Sequence, residues 1–284
     1  MTMDAGWGRL ARMCGRYASS RTPEDLVEMF DVEEVELPDV APQANFNVAP
    51  TSTSPIVLER QKQGEDDDPP VVTRQLRWLT WGLVPSWAKD ATGGARMINA
   101  RAESLLEKPA FKRAATARRC LVPADGWYEW QASPTEKVNG KPRKQPFFMR
   151  LSGGEELAFA GIYEFWRDQE KHADDETAWL VTYSIVTTAA EPGLDTIHDR
   201  MPFVVPSDRW AAWLDPAERD PDTVRALLEP PEPGRFEALP VTTRVNSVRN
   251  NGPELLEPAP LDTLAGVVDP STGELIGSDT VPLF

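Results

Sequence analysis

The stretch Arg119–Trp130, RCLVPADGWYEW, joins an apolar run to an aromatic run through a proline and a glycine. Aliphatic and aromatic side chains in such density favour a β-strand. Pro123 and Gly126 mark an interruption, since proline cannot donate to a strand ladder and glycine weakens it. We therefore expect an apolar strand with a break in it, and we expect Cys120, at the start of the run, to lie in the core.

Strand patterns continue on both sides of this stretch. Residues 71–85 (VVTRQLRWLTWGLVP) and 177–190 (TAWLVTYSIVTTAA) predict strands. Residues 145–166 predict a hairpin that turns at Gly153 and Gly154, and residues 132–144 (ASPTEKVNGKPRK) predict a long polar loop. Short helices are predicted in TPEDLVEMF, KPAFKRAATARR, SDRWAAWLDP and DPDTVRALLEP.

The order of these elements indicates the fold class. Strands follow one another through turns, helices are interspersed, and strands do not alternate regularly with helices. The sequence therefore predicts an α+β fold around a curved, mainly antiparallel, barrel-like sheet with flanking helices.

Composition limits the classes of function. The chain has 284 residues and a net charge of −15, which disfavours general binding to nucleic acid because phosphate contacts need lysine and arginine. Net charge does not describe a local site, however, and arginines cluster in several places along the chain. Two cysteines make no disulfide framework, and no apolar run spans a membrane, so we expect a cytoplasmic protein. No phosphate-binding glycine motif or zinc-type cysteine spacing is present, so we predict no cofactor and no metal.

Cys14 lies in RLARMCGRYASS, directly after Met13. An unpaired cysteine is most often a small buried residue, and that interpretation stays open for Cys14. If translation starts at Met13 and that methionine is removed, Cys14 becomes the N-terminal residue. Its α-amine and thiol, with ordinary pKa values of about 7.7–8.0 and 8.5, then react near neutrality. Such a 1,2-aminothiol condenses with an aldehyde to a five-membered thiazolidine.

Four other polar residues are candidates for a site. His198, in DTIHDRMPF, suits a proton shuttle or a structural role, whereas His172 lies in a charged, solvated stretch. Glu129, among the aromatic residues of DGWYEW, is expected to be desolvated with a raised pKa; on alternation alone it could instead face water. Glu164, in GIYEFW, has the same context, so context does not select Glu129. Asn99, in MINARAES, is either a polar site residue or a helix cap.

Taken in order, nine motifs resemble those of the SRAP (SOS-response-associated peptidase) family. They are MCGRYA, NFNVAPT, WGLVPSW, INARAES, RCLVPADGWYEW, FAGIYE, TTAA, HDRMP and VNSVRNNGPEL. The resemblance covers residues 13–258, so we expect an SRAP domain there, a non-native or cleaved extension at residues 1–12, and a loose C-terminal tail at 259–284.

The resemblance implies a function on damaged DNA. Members of this family protect abasic sites in single-stranded DNA by a covalent crosslink, in which an N-terminal cysteine forms a thiazolidine with the abasic-site aldehyde. By motif position the nucleophile is Cys14, Asn99 holds the reacting centre, and Glu129 and His198 transfer protons. The family is also credited with thiol autopeptidase activity, and some members with reversal of the crosslink as a lyase.

The resemblance also implies a DNA-binding surface. Arg16, Arg101 and Arg200 match arginines expected to contact DNA phosphates, a role that suits the guanidinium fork. Trp81, in WGLVPSW, would stack on bases if it were exposed; otherwise it is a structural aromatic residue.

Two other functions stay open. One is a thiol peptidase or amidohydrolase that uses Cys14, His198 and Glu129. The other is a non-catalytic binder of single-stranded DNA. We expect a monomer whose partner is single-stranded DNA with abasic sites, and no membrane association.

Overall fold

The computed structural model describes residues 14–62, 70–155, 157–172 and 174–276. The expected extension at residues 1–12 and the start at Met13 lie outside the described residues. The strands are β1 (Tyr17–Ser19), β2 (Glu34–Glu36), β3 (Asn45–Val48), β4 (Thr53–Lys62), β5 (Val71–Trp81), β6 (Asn99–Arg101), β7 (Arg119–Ala124), β8 (Gly126–Val138), β9 (Lys141–Leu151), β10 (Leu157–Arg167), β11 (Trp179–Ala189), β12 (Arg200–Pro202), β13 (Phe236–Pro240), β14 (Val267–Val268) and β15 (Leu275–Ile276). The α-helices are α1 (Pro23–Met29), α2 (Pro109–Ala117), α3 (Trp210–Leu214) and α4 (Pro221–Leu227).

Two large sheets make up the fold. The larger has the order β12-β11-β10-β7-β4-β5-β2, and the smaller has the order β13-β9-β8-β1-β3. An additional parallel pairing, Thr182 with Thr80 and Tyr183 with Trp81, joins β11 to β5. That pairing closes β11, β10, β7, β4 and β5 into a ring, which we call the barrel. Most neighbouring strands are antiparallel, so the predicted α+β, barrel-like class is confirmed.

The stretch Arg119–Trp130 crosses from one sheet to the other. β7 runs in the barrel, β8 runs in the smaller sheet, and Asp125 separates them while its amide donates to Ala18 O at 2.8 Å. At the start of β8, a Cβ added to Gly126 would lie 2.3 Å from Met149 O, so only glycine fits. The predicted interruption is confirmed. It is the point at which the chain passes from the barrel to the smaller sheet.

Two sequence-based expectations about turns are wrong. Residues 132–144 are not a long loop, because β8 continues to Val138 and pairs with β9 across a two-residue turn. Asn139 and Gly140 both have positive φ, 52° and 77°, which is the pattern of a tight hairpin turn. Gly153 and Gly154 do not close a hairpin either, because β9 and β10 belong to different sheets.

The apolar side chains form two main cores. The inner core fills the barrel and continues between the two sheets, where Trp127 packs edge-on against Phe159 at 6.1 Å between ring centroids. It includes Cys120, which is fully buried as predicted. The outer core lies between the barrel and the helices, with Trp213 fully buried at its centre. Each barrel strand therefore alternates inward and outward apolar positions.

The helices begin as their sequences predict. Thr22 caps α1 through a reciprocal capping box with Asp25, and Pro23 takes the first helical position. Asp220 caps α4 without a reciprocal bond: its side chain accepts from the amide of Thr223. No helix among the described residues has the length and apolar character needed to cross a membrane.

The described part of the C-terminal tail, residues 259–276, is not loose. Leu264 and Val267 are buried in the inner core. Ser133 Oγ donates to Gly266 O at 2.6 Å, and Gln131 exchanges two hydrogen bonds with the backbone of Val268. The expectation of a loose segment is wrong here because the outer half of β8 supplies polar partners that the predicted loop would have lacked.

Candidate active site around Cys14

Four segments that are far apart in the sequence meet at Cys14. Cys14 itself lies three residues before β1, Asn99 opens β6, and Glu129 lies on β8. β6 is placed by parallel pairing with β11, in which Asn99 lies opposite Ile185. His198 lies in the short connection between β11 and β12, and Arg200 opens β12. The site therefore lies where the smaller sheet meets one end of the barrel.

Cys14 and Asn99 are in direct contact. Asn99 Nδ2 donates to Cys14 O at 2.8 Å, and both residues are buried. The Cys14 thiol donates to Arg200 O at 3.6 Å. Asn99 is thus a strand residue and not a helix cap, and it holds the backbone of Cys14 in place. Its carbonyl oxygen, Oδ1, is buried without a hydrogen-bond partner among the described residues.

Glu129 is desolvated, as its aromatic surroundings predict. Its side chain is on the buried face of β8, with the residue only 5% exposed, and Oε1 has no hydrogen-bond partner within the described part of the chain. Burial raises its pKa to about 7, while the charge of His198 and the Cys14 thiol act in the opposite direction. Both protonation states of this carboxyl group are therefore populated at neutral pH.

The Cys14 thiol is held in its protonated form. Burial raises the pKa of Cys14 well above its ordinary value, and the neighbouring charge of Glu129 raises it further. The Glu129 carboxyl group acts on the thiol both by its charge and by a side-chain hydrogen bond, and each raises the pKa of Cys14. A proton leaving the sulfur therefore has an acceptor available.

His198 completes the cluster at its solvent side. Its side chain is 20% exposed, and Nδ1 accepts a hydrogen bond from the Arg200 amide at 3.1 Å. An accepting Nδ1 means that Nε2 carries the proton in the neutral ring. The local turn is fixed by the His198 amide, which donates to Leu194 O at 3.1 Å.

Arg16 is anchored to the protein by one edge of its guanidinium. Nη1 donates to Asn47 Oδ1 at 2.7 Å and to Val245 O at 3.0 Å, and the group lies 5.7 Å from the ring centroid of Trp130. Asn47 in turn donates to Ser247 O and Asn250 O. The NFN and VNSVRNN motifs therefore build the support behind Arg16.

Arg200 and Arg101 differ in how much of the side chain is available. Arg200 pairs with both carboxylate oxygens of Glu103, at 2.6 and 3.0 Å, and donates to Thr187 O at 2.6 Å. Arg101 is exposed and makes no side-chain hydrogen bond or ion pair to any described residue. Arg101 is the arginine of this group that is open to a phosphate, whereas the Arg200 guanidinium is already paired.

Trp81 is not a surface residue, and the expectation that it stacks on bases is wrong. Its ring is 1% exposed, its Nε1 donates to Ile98 O at 2.8 Å, and it packs edge-on against Tyr17. The reason is its position at the end of β5, where the ring points into the inner core. Trp87, six residues later, is 68% exposed.

The other candidates are separated from the site. Glu164 is 4% exposed and pairs with Arg118 at 3.1 Å, and His172 is solvated beside Asp174.

Sequence reasoning missed Asn47, which supports Arg16, and the pairing of Glu103 with Arg200. The alternation of Asn99, Arg101 and Glu103 was the available signal for Glu103. No local signal pointed to Asn47, since its partners lie about two hundred residues away in the chain.

Comparison with known proteins identifies the family. The model of the family described as SOS response associated peptidase (SRAP) matches residues 13–248. The chain belongs to the SRAP family. The SRAP relative "Abasic site processing protein YoqW" of Bacillus subtilis (strain 168) is 37% identical over 246 residues, which is 86% of this chain and 99% of that protein.

More distant SRAP relatives extend the match. "Abasic site processing protein HMCES" of Rattus norvegicus is 32% identical over 249 residues, 76% of this chain and 65% of that protein. A solved structure of a protein from Bacteroides thetaiotaomicron superposes with a TM-score of 0.69 at 23% identity, covering 87% of this chain and 100% of the other. That likeness supports the fold.

Proposed function

We propose that this SRAP protein processes abasic sites in single-stranded DNA by forming a covalent thiazolidine through Cys14. The relatives named as abasic site processing proteins support the substrate class. The observation that carries the proposal is the pair of buried, unpartnered oxygens beside Cys14, Asn99 Oδ1 and Glu129 Oε1. Buried polar atoms nearly always have partners, so two unpartnered acceptors mark a place for the groups that react.

The reaction would run in two steps that balance. The Cys14 α-amine attacks the aldehyde carbon of the open-chain deoxyribose, and the resulting carbinolamine loses water to give an imine. The thiol sulfur then bonds to the imine carbon, and its proton ends on the nitrogen. One water is released in total, and no oxidant or reductant is needed.

Each site residue has a role in these steps. Asn99 holds the Cys14 backbone so that its amine and thiol reach one carbon. Glu129, with a pKa of about 7, first donates a proton to the carbinolamine hydroxyl, which then leaves as water. The resulting carboxylate takes up the proton of the thiol as the sulfur attacks the imine. His198 exchanges protons with solvent at the exposed side of the cluster. Arg101 would bind a phosphate, Arg16 would present its free edge, and the backbone carbonyl of Arg200 would orient the thiol by accepting its hydrogen bond.

The proposal includes removal of every residue that precedes Cys14, because an amide nitrogen cannot form the imine. The need for a free α-amine also separates this function from a thiol peptidase that cleaves peptides in trans, because such a peptidase uses the thiol alone. Reversal of the crosslink and autopeptidase cleavage belong to the same proposal, with the same four residues.

The test uses the form that begins at Cys14 and single-stranded DNA from which uracil has been excised. We expect an adduct that survives heating on a denaturing gel. Cys14→Ala and a form with one residue added before Cys14 should both fail to give the adduct. No adduct with the first form, or an equal amount with the extended form, would contradict the proposal; peptide turnover by the extended form would favour a peptidase.

A further inference from the structure

A cavity lies at the end of the barrel away from Cys14. It has a volume of about 700 Å³ and is lined by Arg60, Arg77, Arg113, Arg118, Phe165 and Trp179 among others. β11 runs from this cavity, at Trp179, to the Cys14 site, where Ala189 pairs with Arg200. Ten residue steps along a strand span roughly 33 Å, so the two regions are separate.

Two arginines of this cavity, Arg60 and Arg77, occupy inward positions of the barrel, whereas Arg113 lies on α2 and Arg118 directly follows it. Arg77 lies opposite Ile56, and Arg60 lies two residues beyond Leu58 on the same face of β4. Ile56 and Leu58 belong to the inner core, as do Tyr163 and Tyr183. Paired residues of β10 and β11 that face the barrel interior follow one another toward the opening. They are Tyr163 with Tyr183, then Phe165 with Val181, then Arg167 with Trp179. The apolar interior therefore changes, within two residue pairs, to an opening lined by guanidinium groups.

Two guanidinium groups of the cavity, those of Arg60 and Arg118, lie near the ring of Phe165. The Cζ of Arg60 lies 5.4 Å from the ring centroid of Phe165, and the Cζ of Arg118 lies 5.9 Å from it. Arg60, Arg118 and Arg77 all lower the pKa of the buried Tyr163 hydroxyl, against the larger effect of burial. Like charges repel, and bringing several of them to one opening is favourable when an anion lies between them.

The acidic residues of the cavity leave part of this charge uncompensated. Glu164 pairs with Arg118, and Glu36 pairs with Arg77. Glu176 also lines the opening. Arg60 and Arg113 have no acidic partner among the described residues, and Arg77 Nη1 is buried with no hydrogen-bond partner there. A buried donor without a partner costs free energy, so this atom points to a missing acceptor.

We propose that this cavity binds a phosphate monoester that carries an aromatic group, of the size of a mononucleotide. Arg60, Arg77 and Arg113 would donate to the phosphate oxygens, since the guanidinium fork matches phosphate geometry. Trp179, at 54% exposed on the rim, would stack on the planar group. A volume of about 700 Å³ lies within the range of small-molecule sites. The phosphate could belong to a free mononucleotide or to the end of a DNA strand.

The binding test measures thermal unfolding with inorganic phosphate or adenosine 5′-monophosphate, against chloride at equal ionic strength. A ligand that binds only the folded state raises the melting temperature. We expect a rise with both ligands, larger for the nucleotide, and loss of both rises in Arg60→Gln/Arg113→Gln. The matched control is Arg225→Gln, an exposed arginine on α4 that should keep both rises. No rise in the wild-type protein, or a rise that the double variant keeps, would overturn the proposal.

Further arms identify the source of the phosphate and guard against a folding defect. Arg60→Lys keeps the charge but loses the fork, so we expect it to fold normally and to bind the nucleotide several-fold more weakly; unchanged binding would overturn the role of Arg60. Line broadening of the nucleotide ³¹P resonance checks binding in every variant.

Loss of affinity in the double variant for a 5′-phosphorylated oligonucleotide, but not for the same strand without the phosphate, would assign the strand end. Equal affinity of both proteins for both strands would assign the free nucleotide.

Discussion

Glu129 and Glu164 stand in almost the same sequence context, GWYEW and GIYEF, and are 5% and 4% exposed. Glu164 Oε1 lies 3.1 Å from Arg118 Nη2 and accepts the amide of Phe165 at 2.9 Å. Glu129 Oε1 has no partner among the described residues, and burial raises its pKa to about 7. Two equally buried carboxyl groups thus differ because Glu164 is paired directly with an arginine and Glu129 has no ion pair among the described residues.

The comparison teaches that burial by itself does not make an acid–base residue. The carboxylate of Glu164, paired with Arg118, holds two elements together, β10 and the segment after α2. A carboxyl group left unpaired in the same degree of burial keeps a proton near neutrality. The following four predictions, made with three substitutions, test this difference from the largest expected effect to the smallest.

Glu129→Gln should slow crosslinking most strongly. Removing a general acid or base typically costs about 100-fold to 10,000-fold in rate, and we expect a loss of at least 100-fold here. The measurement is the rate of adduct formation on single-stranded DNA with one abasic site at pH 7. Glu164→Gln, assayed at a temperature at which it is fully folded, should react at the wild-type rate. Equal slowing by the two substitutions would remove the distinction between them.

Glu164→Gln should reduce the free energy of unfolding. It leaves the Arg118 guanidinium, whose side chain is only 16% exposed, without its counter-charge. Breaking a buried ion pair from one side costs about 3–5 kcal/mol, and the lower end applies because Arg118 keeps some contact with water. Urea unfolding at pH 7 measures the effect. A matched double variant with Arg118→Met should recover part of the loss, and no loss in the single variant would show that the pair contributes nothing.

Glu129→Gln should stabilise the protein at high pH. The folded pKa of Glu129, about 7, lies above its ordinary value of 4.5. Below pH 4.5 both states are protonated and the carboxyl group contributes no penalty. Between pH 4.5 and 7 the unfolded state loses its proton first, so wild-type stability falls, and above pH 7 the penalty is constant at no more than about 3 kcal/mol.

Glutamine carries no such penalty, so the difference in melting temperature between Glu129→Gln and wild type should grow from pH 4.5 to 7 and then level off. Unfolding at a series of pH values measures this profile. A difference that does not change with pH would mean that Glu129 has no raised pKa in the folded state.

Glu103→Gln should have the smallest effect. Its carboxylate pairs with Arg200, but the Glu103 side chain is 57% exposed, and exposed ion pairs contribute about 0–1 kcal/mol. We expect a change in unfolding free energy below about 1 kcal/mol and a modest change in crosslinking rate, because the freed Arg200 can then reach a phosphate. A loss as large as that of Glu164→Gln would mean that exposure does not separate the two pairs.

Local signals predicted much of the fold. The helices predicted in TPEDLVEMF and DPDTVRALLEP are confirmed because a helix start is set by residues within three positions of each other, here Thr22 with Asp25 and Asp220 with Thr223. The strands of the barrel are confirmed because alternating apolar positions need only their own segment. The turn at Asn139 and Gly140 was missed because polar strand residues around it resemble a loop, although the Asn-Gly pair itself indicates a tight turn.

The site was predicted less evenly. Motif order pointed to Cys14, Asn99, Glu129 and His198, and the described structure brings them together. The sequence left open whether Trp81 is exposed or structural, because a tryptophan that closes a strand gives no local sign of which way its ring points; the structure shows that it is buried. Arg200 and Arg101 look alike in sequence, yet only Arg200 has Glu103 and Thr187 within hydrogen-bonding distance.

The sequence by itself determined most of the element types and the interruption at residues 119–130, because each depends on near neighbours, and its motifs supplied the candidate residues of the site. Only the tertiary structure decided that this interruption moves the chain from the barrel to the smaller sheet, so that β8 carries Glu129 to Cys14. It alone also decided which of two similar glutamates meets an arginine. The residues that supply a counter-charge come from segments distant in the chain, and a local sequence pattern does not show which distant residues will meet.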